Sequence, residues 1–157
     1  MTVWGTYANR DYGWDRTNRH PNDVDCKFWR FAWNQGLELV SLMLDYFEYT
    51  EDSAFLQNRL LPMASSVLSY FDSRFPKDNA GRIVLTPTQA VETYWFGVTN
   101  DTPTVAGLND VAGRLCRLPA GAMTGEQRAF FEHMKAAAPE LPVESAVVNG
   151  VAQRRIG

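Results

Sequence analysis

The chain has 157 residues, a net charge of -3 and 45% hydrophobic residues. That length suits one ordinary domain with a real core, and the apolar content excludes a disordered chain. There is no run of five basic residues and no apolar stretch near eighteen residues, which argues against a nucleic-acid partner and a membrane span.

Residues 1–26 are polar and rich in Gly, Asn, Asp and Pro, with scattered Trp and Tyr, and read as a loop-rich entry. The opening Met1-Thr2-Val3-Trp4-Gly5 has no charged stretch followed by an apolar one, so it does not read as a signal peptide. The compartment is unknown, and an extracytoplasmic parent stays open. A first helical hairpin is expected over 27–75. Its first helix should run from about Phe28 to Tyr49, with Trp29, Trp33, Leu37, Val40, Leu44 and Phe47 stepping by three and four. A second stripe of Phe31, Leu39, Leu42, Met43 and Tyr46 widens the apolar face past half the circumference, so this helix should be buried on most sides. The turn Thr50-Glu51-Asp52 leads to a second helix over about Ser53 to Arg74. Phe55, Leu56, Leu60, Met63, Val67, Leu68 and Phe71 form its one-sided stripe, and Pro62 kinks it or marks its true start.

Pro76 to Gly81 is a turn cluster. Arg82-Ile83-Val84-Leu85 reads as a short strand, opening a strand-and-loop segment over 82–101. A second helical hairpin is expected over 102–138. Thr102 caps its first helix with Pro103 at the first position, and Thr124-Gly125-Glu126-Gln127 resembles a capping box for its second. The tail, 139–157, is β-rich, with Asn149-Gly150 as a hairpin turn. Arg114 and Arg117 read as a solvated helix face. Cys26 and Cys116 fit either one disulfide or two free buried thiols, and no zinc pattern is present.

The chemically loaded stretch is Leu85 to Trp95. It places Glu92 among hydroxyls, an amide and two large rings. Glu92 suits protonation of a glycosidic oxygen; Tyr94 and Trp95 suit stacking on a pyranose face, with Gln89 and Thr93 beside them. The alternative is that the rings plug a core and Glu92 caps the next helix. Glycoside hydrolysis needs two carboxyl groups flanking the bond. Asp15, in the aromatic loop Tyr12-Gly13-Trp14-Asp15-Arg16, is the candidate partner, with Trp14 as a further sugar contact; an ion pair with Arg16 or Arg19 is its plain alternative. Asp101 is a further carboxylate near a loop, and Asp45 reads as facing outward or pairing locally. Glu38 lies on the buried helix and should be hydrogen-bonded to the loop. Trp29 and Trp33 suit a core, with sugar stacking as the alternative, and His20 suits a surface.

The run Trp33-Asn34-Gln35-Gly36-Leu37-Glu38-Leu39, then Asp45-Tyr46-Phe47-Glu48-Tyr49-Thr50-Glu51-Asp52, then Leu61-Pro62, resembles the inner and outer helices of the six-hairpin glycosidases. It is similar to the family 95 glycoside hydrolases, the α-L-fucosidase group. It looks closer still to a less characterised bacterial group of that superfamily. Those proteins carry counterparts of Pro87 to Trp95, of Asn100-Asp101-Thr102-Pro103-Thr104-Val105-Ala106-Gly107-Leu108, and of Arg114-Leu115-Cys116-Arg117-Leu118-Pro119. The likeness covers about residues 12–150. It implies a mostly α chain of two αα-hairpins forming part of an (α/α)6 toroid of about twelve helices, of which this chain holds four. It implies a glycosidase segment acting on an oligo- or polysaccharide with no metal or organic cofactor. Glu92 stands where the fucosidase group has its general acid, although that group reads Ser-Pro-Glu-Asn where this chain reads Ala-Val-Glu-Thr. The partners implied are a carbohydrate and the remaining helices of a toroid, or a second copy bound through the first helix. A non-catalytic carbohydrate-binding or scaffold module and a helical protein-interaction domain are the alternatives.

Overall fold

A computed structural model describes residues 31–91 and 97–156. The chain is mostly helical, ending in a small antiparallel hairpin. Helix α1 spans Gln35–Thr50 and ends at Glu51, which takes a left-handed conformation (φ 53°) and donates its N–H to the Phe47 carbonyl. Asp52 caps the next rod by accepting the Phe55 N–H at 2.9 Å. That rod begins as α2, Ser53–Phe55, widens into one π-helical turn over Leu56–Leu60, and continues as α3, Leu61–Arg74. Proline has no N–H to give and its ring crowds the preceding turn. The rod accommodates Pro62 by widening, with Leu61 N–H reaching back to the Leu56 carbonyl.

Helix α4 spans Thr102–Arg117 and α5 spans Gly125–Ala137. The Thr124–Gln127 capping box forms as expected: Thr124 Oγ1 accepts the Gln127 N–H at 3.2 Å, and Gln127 Oε1 accepts the Thr124 N–H at 3.0 Å. The cap of α4 is a correction. It is Asp101, not Thr102; Asp101 Oδ1 accepts the Thr104 N–H at 3.1 Å and the Thr104 hydroxyl at 3.0 Å. A carboxylate accepts two donors at once and complements the positive helix end, so it takes the cap and Thr102 becomes the first helical residue. Strands β1, Val143–Val148, and β2, Val151–Ile156, pair through the Asn149-Gly150 turn, where both residues have positive φ.

The four rods share one core. Leu37, Val40 and Leu44 of α1 meet Leu60, Leu61, Ala64, Leu68 and Phe71 on one side. Val105, Leu108, Val111 and Leu115 of α4 face them on the other, with Phe131 and Met134 of α5 closing the far end. Helix α1 therefore lies between α3 and α4. A Cβ on Gly107 would sit 3.2 Å from Leu37 Cβ, and one on Gly36 would sit 3.2 Å from a Val67 methyl. Both glycines let helices approach more closely than an alanine would.

Four expectations change here. The described helix starts at Gln35: among the described residues, 31–34 are non-helical, with the Phe31 N–H turned to Gln89 Oε1 at 3.4 Å, and the expected start near Phe28 lies outside the described residues. Most of its second stripe is not buried. Leu42 is 66% exposed, and Leu39 and Tyr46 are also exposed, because α3 and α4 leave that strip of α1 uncovered; only Met43 packs against the core. Residues 82–85 form no strand, only a single bridge from Ile83 to Lys77; the Ile83 N–H is taken by the Ala137 carbonyl at 2.8 Å. Finally, Arg114 is not on a solvated face. It is buried between α4 and α1, with Nη2 2.6 Å from Asp45 and 2.9 Å from Glu48, Nε 3.0 Å from Glu48, and Nη1 3.2 Å from Ser41 Oγ. Asp45 thus pairs across helices rather than locally. Burial pulls the Arg114 guanidinium downward, but the hydrogen bonds and charges of Glu48 and Asp45 win and raise its pKa above the usual arginine range.

Two outcomes test this packing. Gly107→Ala gains about 1 kcal/mol of helix propensity and loses about 1–3 kcal/mol to overpacking against a Cβ that has no rotamer to retreat into. A net loss of about 1 kcal/mol is expected, lowering Tm by about 2–4 °C; a higher Tm would show that the helices part freely. Around Arg114 the prediction is an asymmetry. Arg114→Met leaves carboxylates that solvent already reaches and costs about 1–2 kcal/mol, whereas removing both Asp45 and Glu48 leaves the buried cation only Ser41 and Asp110, the latter 3.6 Å away, and costs about 3 kcal/mol. Chemical denaturation of both variants reads the difference, and equal losses would contradict it.

Candidate functional site

The loop that carries Glu92 is anchored on both sides of the stretch 92–96. Thr88 and Val98 form an antiparallel bridge, with Thr88 N–H to Val98 O at 2.9 Å and Val98 N–H to Thr88 O at 2.8 Å. One step further out, Asn100 accepts the Leu85 N–H on Oδ1 at 2.9 Å and gives its own N–H to the Leu85 carbonyl at 2.8 Å. Asn100 sits at φ 56°, in the left-handed region that asparagine tolerates well. A Cβ on Gly97 would lie 2.9 Å from Pro87 Cβ, closer than real side chains allow, so the two arms close only over glycine.

The floor of this base is polar yet buried. Thr88 and Thr104 are fully enclosed, and Gln89 and Asp101 nearly so. Such groups must be hydrogen-bonded or they cost stability. Thr88 Oγ1 donates to the Val98 carbonyl at 3.2 Å and accepts the Asp101 N–H at 3.3 Å. Asp101 Oδ1 takes both Thr104 donors. Gln89 accepts from Phe31 N–H and donates Nε2–H to the Val91 carbonyl at 3.2 Å. Among the described residues Asp101 Oδ2 is buried without a hydrogen-bond partner.

Trp33 ties this loop to the helices. Its indole Nε1–H donates to the Pro87 carbonyl at 2.8 Å. Its ring lies 6.0 Å from Tyr70 and 6.4 Å from Phe75, edge-on to the latter, and the Arg74 guanidinium stands 5.9 Å from its centroid. Beside it, Ala32, Trp33, Gln35, Gly36, Ser66, Val67, Tyr70 and Phe71 enclose a cleft of about 310 Å³. Burial pushes the Tyr70 phenol up, against the opposing pull of the Arg74 charge and hydrogen bond.

Of the residues singled out from sequence, Gln89 falls in the described part, where it supports the loop base from within. Glu92, Thr93, Tyr94, Trp95, Asp15 and Trp14 lie outside the described residues, as do Trp29, His20 and Cys26. Asp45 belongs to the Arg114 cluster. Glu38 is a correction: it is exposed, and it accepts from Asn34 Nδ2 at 2.5 Å rather than from the loop. Trp33 is half-buried and packs against the core with a polar task of its own. Sequence reasoning missed the buried set of Thr88, Asp101 and Thr104, although Asp-x-x-Thr ahead of a helix is itself a capping signal. It also missed Ser66 and Tyr70 as cleft residues, which no spacing marks. Among the described residues no group of three metal-ligating side chains exists, and no helix is long and apolar enough to cross a membrane. Cys116 is a free thiol whose pKa burial raises.

No family model, curated protein or solved structure matches this chain.

The Trp33 bond gives a test of the loop anchor. Trp33→Phe keeps an aromatic ring beside Tyr70 and Phe75 but leaves the Pro87 carbonyl without its donor. A loss of about 1–2 kcal/mol is expected, together with faster hydrogen exchange at the Thr88 and Val98 amides. Unchanged exchange there would show that the bridge stands without the tryptophan.

Proposed function

We propose that this chain is a segment of a six-hairpin, (α/α)6-type glycoside hydrolase acting on an oligo- or polysaccharide, with Glu92 as general acid. The observation that carries this reading is the double-anchored base of the Glu92 loop. A general acid must be held within hydrogen-bond reach of the oxygen it protonates. The Thr88–Val98 bridge, the Asn100–Leu85 pair and the Trp33 bond to Pro87 hold both arms of residues 89–97 against a helical core. Within residues 92–96 the only carboxylate is Glu92, flanked by Tyr94 and Trp95. Asp15, with Trp14 beside it, is the candidate for the second carboxylate. Glu92 would give its proton to the leaving oxygen while the second carboxylate activates water or attacks the anomeric carbon.

The uncovered side of α1 supports the toroid part of the reading. Leu39, Leu42, Tyr46 and Tyr49 form an apolar strip that α3 and α4 leave open. Contiguous exposed apolar surface of this kind marks a contact surface, and further helices of a toroid would cover it. The same strip is where a second copy would dock in the alternative, a helical interaction module.

Glu92→Gln keeps the side-chain shape and removes the proton. The expected outcome is a drop in kcat of at least about a hundredfold on a saccharide that the native chain, joined to any helices completing the toroid, hydrolyses. Substrate affinity should be nearly unchanged. Full turnover by the variant would remove Glu92 from the mechanism. Loss of saccharide affinity on Trp95→Ala or Tyr94→Ala, with indifference to Glu92→Gln, would favour a binding module.

A further inference from the structure

The cleft between the start of α1 and the middle of α3 has no part in the proton transfer just described. Its lining has two characters. Trp33 and Tyr70 supply aromatic surface, backed by Val67, Gly36 and the buried Phe71. Gln35 and Ser66 supply polar groups at the same opening. The Ser66 hydroxyl donates to the Pro62 carbonyl at 3.0 Å, which leaves its oxygen free to accept. Among the described residues the Gln35 side chain makes no hydrogen bond, so its amide has both donor and acceptor to offer. The volume, about 310 Å³, lies at the low end of small-molecule sites, which run from about 300 to 1,000 Å³.

A single pyranose ring has the matching form. One of its faces is a patch of C–H groups that packs on an aromatic ring, and its edge carries hydroxyls that both give and accept hydrogen bonds. The cleft offers ring surface for the first and Gln35, Ser66 and the Tyr70 hydroxyl for the second. It also touches the loop: Trp33 lines the cleft and holds Pro87, five residues before Glu92, through its indole N–H.

We propose that the Trp33–Tyr70 cleft is a subsite for one pyranose unit of the saccharide, seated between α1 and α3. This rests on the carbohydrate reading given above, but not on Glu92 being the acid.

The test titrates the whole 157-residue chain with a panel of methyl pyranosides, following tryptophan fluorescence and backbone amide shifts. Saturable binding in the millimolar range is expected, with shifts clustered at Gln35, Gly36, Ser66, Val67 and Tyr70. Ser66→Leu fills the cleft from an exposed helix position and should weaken binding by about tenfold. Gln35→Ala, a milder change, should weaken it by about threefold and serves if the leucine variant loses its helical circular dichroism. Absence of saturable shifts, shifts located elsewhere, or native affinity in a folded Ser66→Leu chain would each overturn the subsite. Binding in the cleft without hydrolysis by any assembled form would remove the Glu92 mechanism and leave the subsite standing. Hydrolysis without shifts at the cleft would do the reverse.

Discussion

Helix α1 can occupy its place only because two neighbouring positions lack a side chain. Gly107 lets Leu37 settle against the backbone of α4, and Gly36 lets Val67 of α3 close on the start of α1. With those approaches made, Leu37, Val40 and Leu44 are sealed from water on both flanks. Close packing of this kind removes apolar surface from solvent. The Arg114 cluster, the cleft at Trp33 and the attachment of the Glu92 loop all require α1 at that distance.

The loop between the hairpins is held by a different kind of force. Its base is a set of buried polar groups rather than an apolar plug: Thr88, Gln89, Asp101 and Thr104 bond to one another and to the backbone, with Asp101 Oδ2 alone left over among the described residues. Buried hydrogen bonds are directional, so they set position more tightly than apolar contact does. Asp101 joins the two forces. It ends the loop and caps α4, so a shift of the loop would also uncap the helix that carries Gly107. A loop tied in this way to the core is suited to hold a reacting group, which is the main support for reading it as a site.

Two charge clusters join the hairpins in different ways. Between α1 and α4 a buried guanidinium meets carboxylates that keep contact with water, so the cation is neutralised while the anions are not stranded. At the other side of the core, Asp72 accepts from His133 and lies 3.0 Å from Lys77. Burial pushes Asp72 upward, but the hydrogen bonds from His133 and Lys77 prevail and its pKa falls below the usual carboxylate value. The first cluster joins one hairpin to the other, and the second joins α3 to α5, so polar groups as well as the core register the four rods.

Much of this was legible in the residues. The stripe of the second helix apart from Met63, the capping box at Thr124, the turn at Glu51-Asp52 and the Asn149-Gly150 hairpin follow from local rules: side-chain period, cap chemistry and tolerance of positive φ. Those rules act over a few residues, so a single chain carries them in full. Other features depend on partners that no short window contains. Whether 82–85 pairs as a strand was decided by the Ala137 carbonyl, more than fifty residues away, which takes the Ile83 N–H. Whether Arg114 is solvated was decided by Asp45 and Glu48 on another helix. Whether the second stripe of α1 is buried was decided by how many helices are present to cover it, which hydrophobic period cannot report. The sequence by itself determined which segments are helical and which loop bears Glu92. The tertiary structure alone decided how that loop is anchored, which side of α1 stays bare and where a cleft opens, because burial and distant hydrogen bonds are properties of the assembled helices.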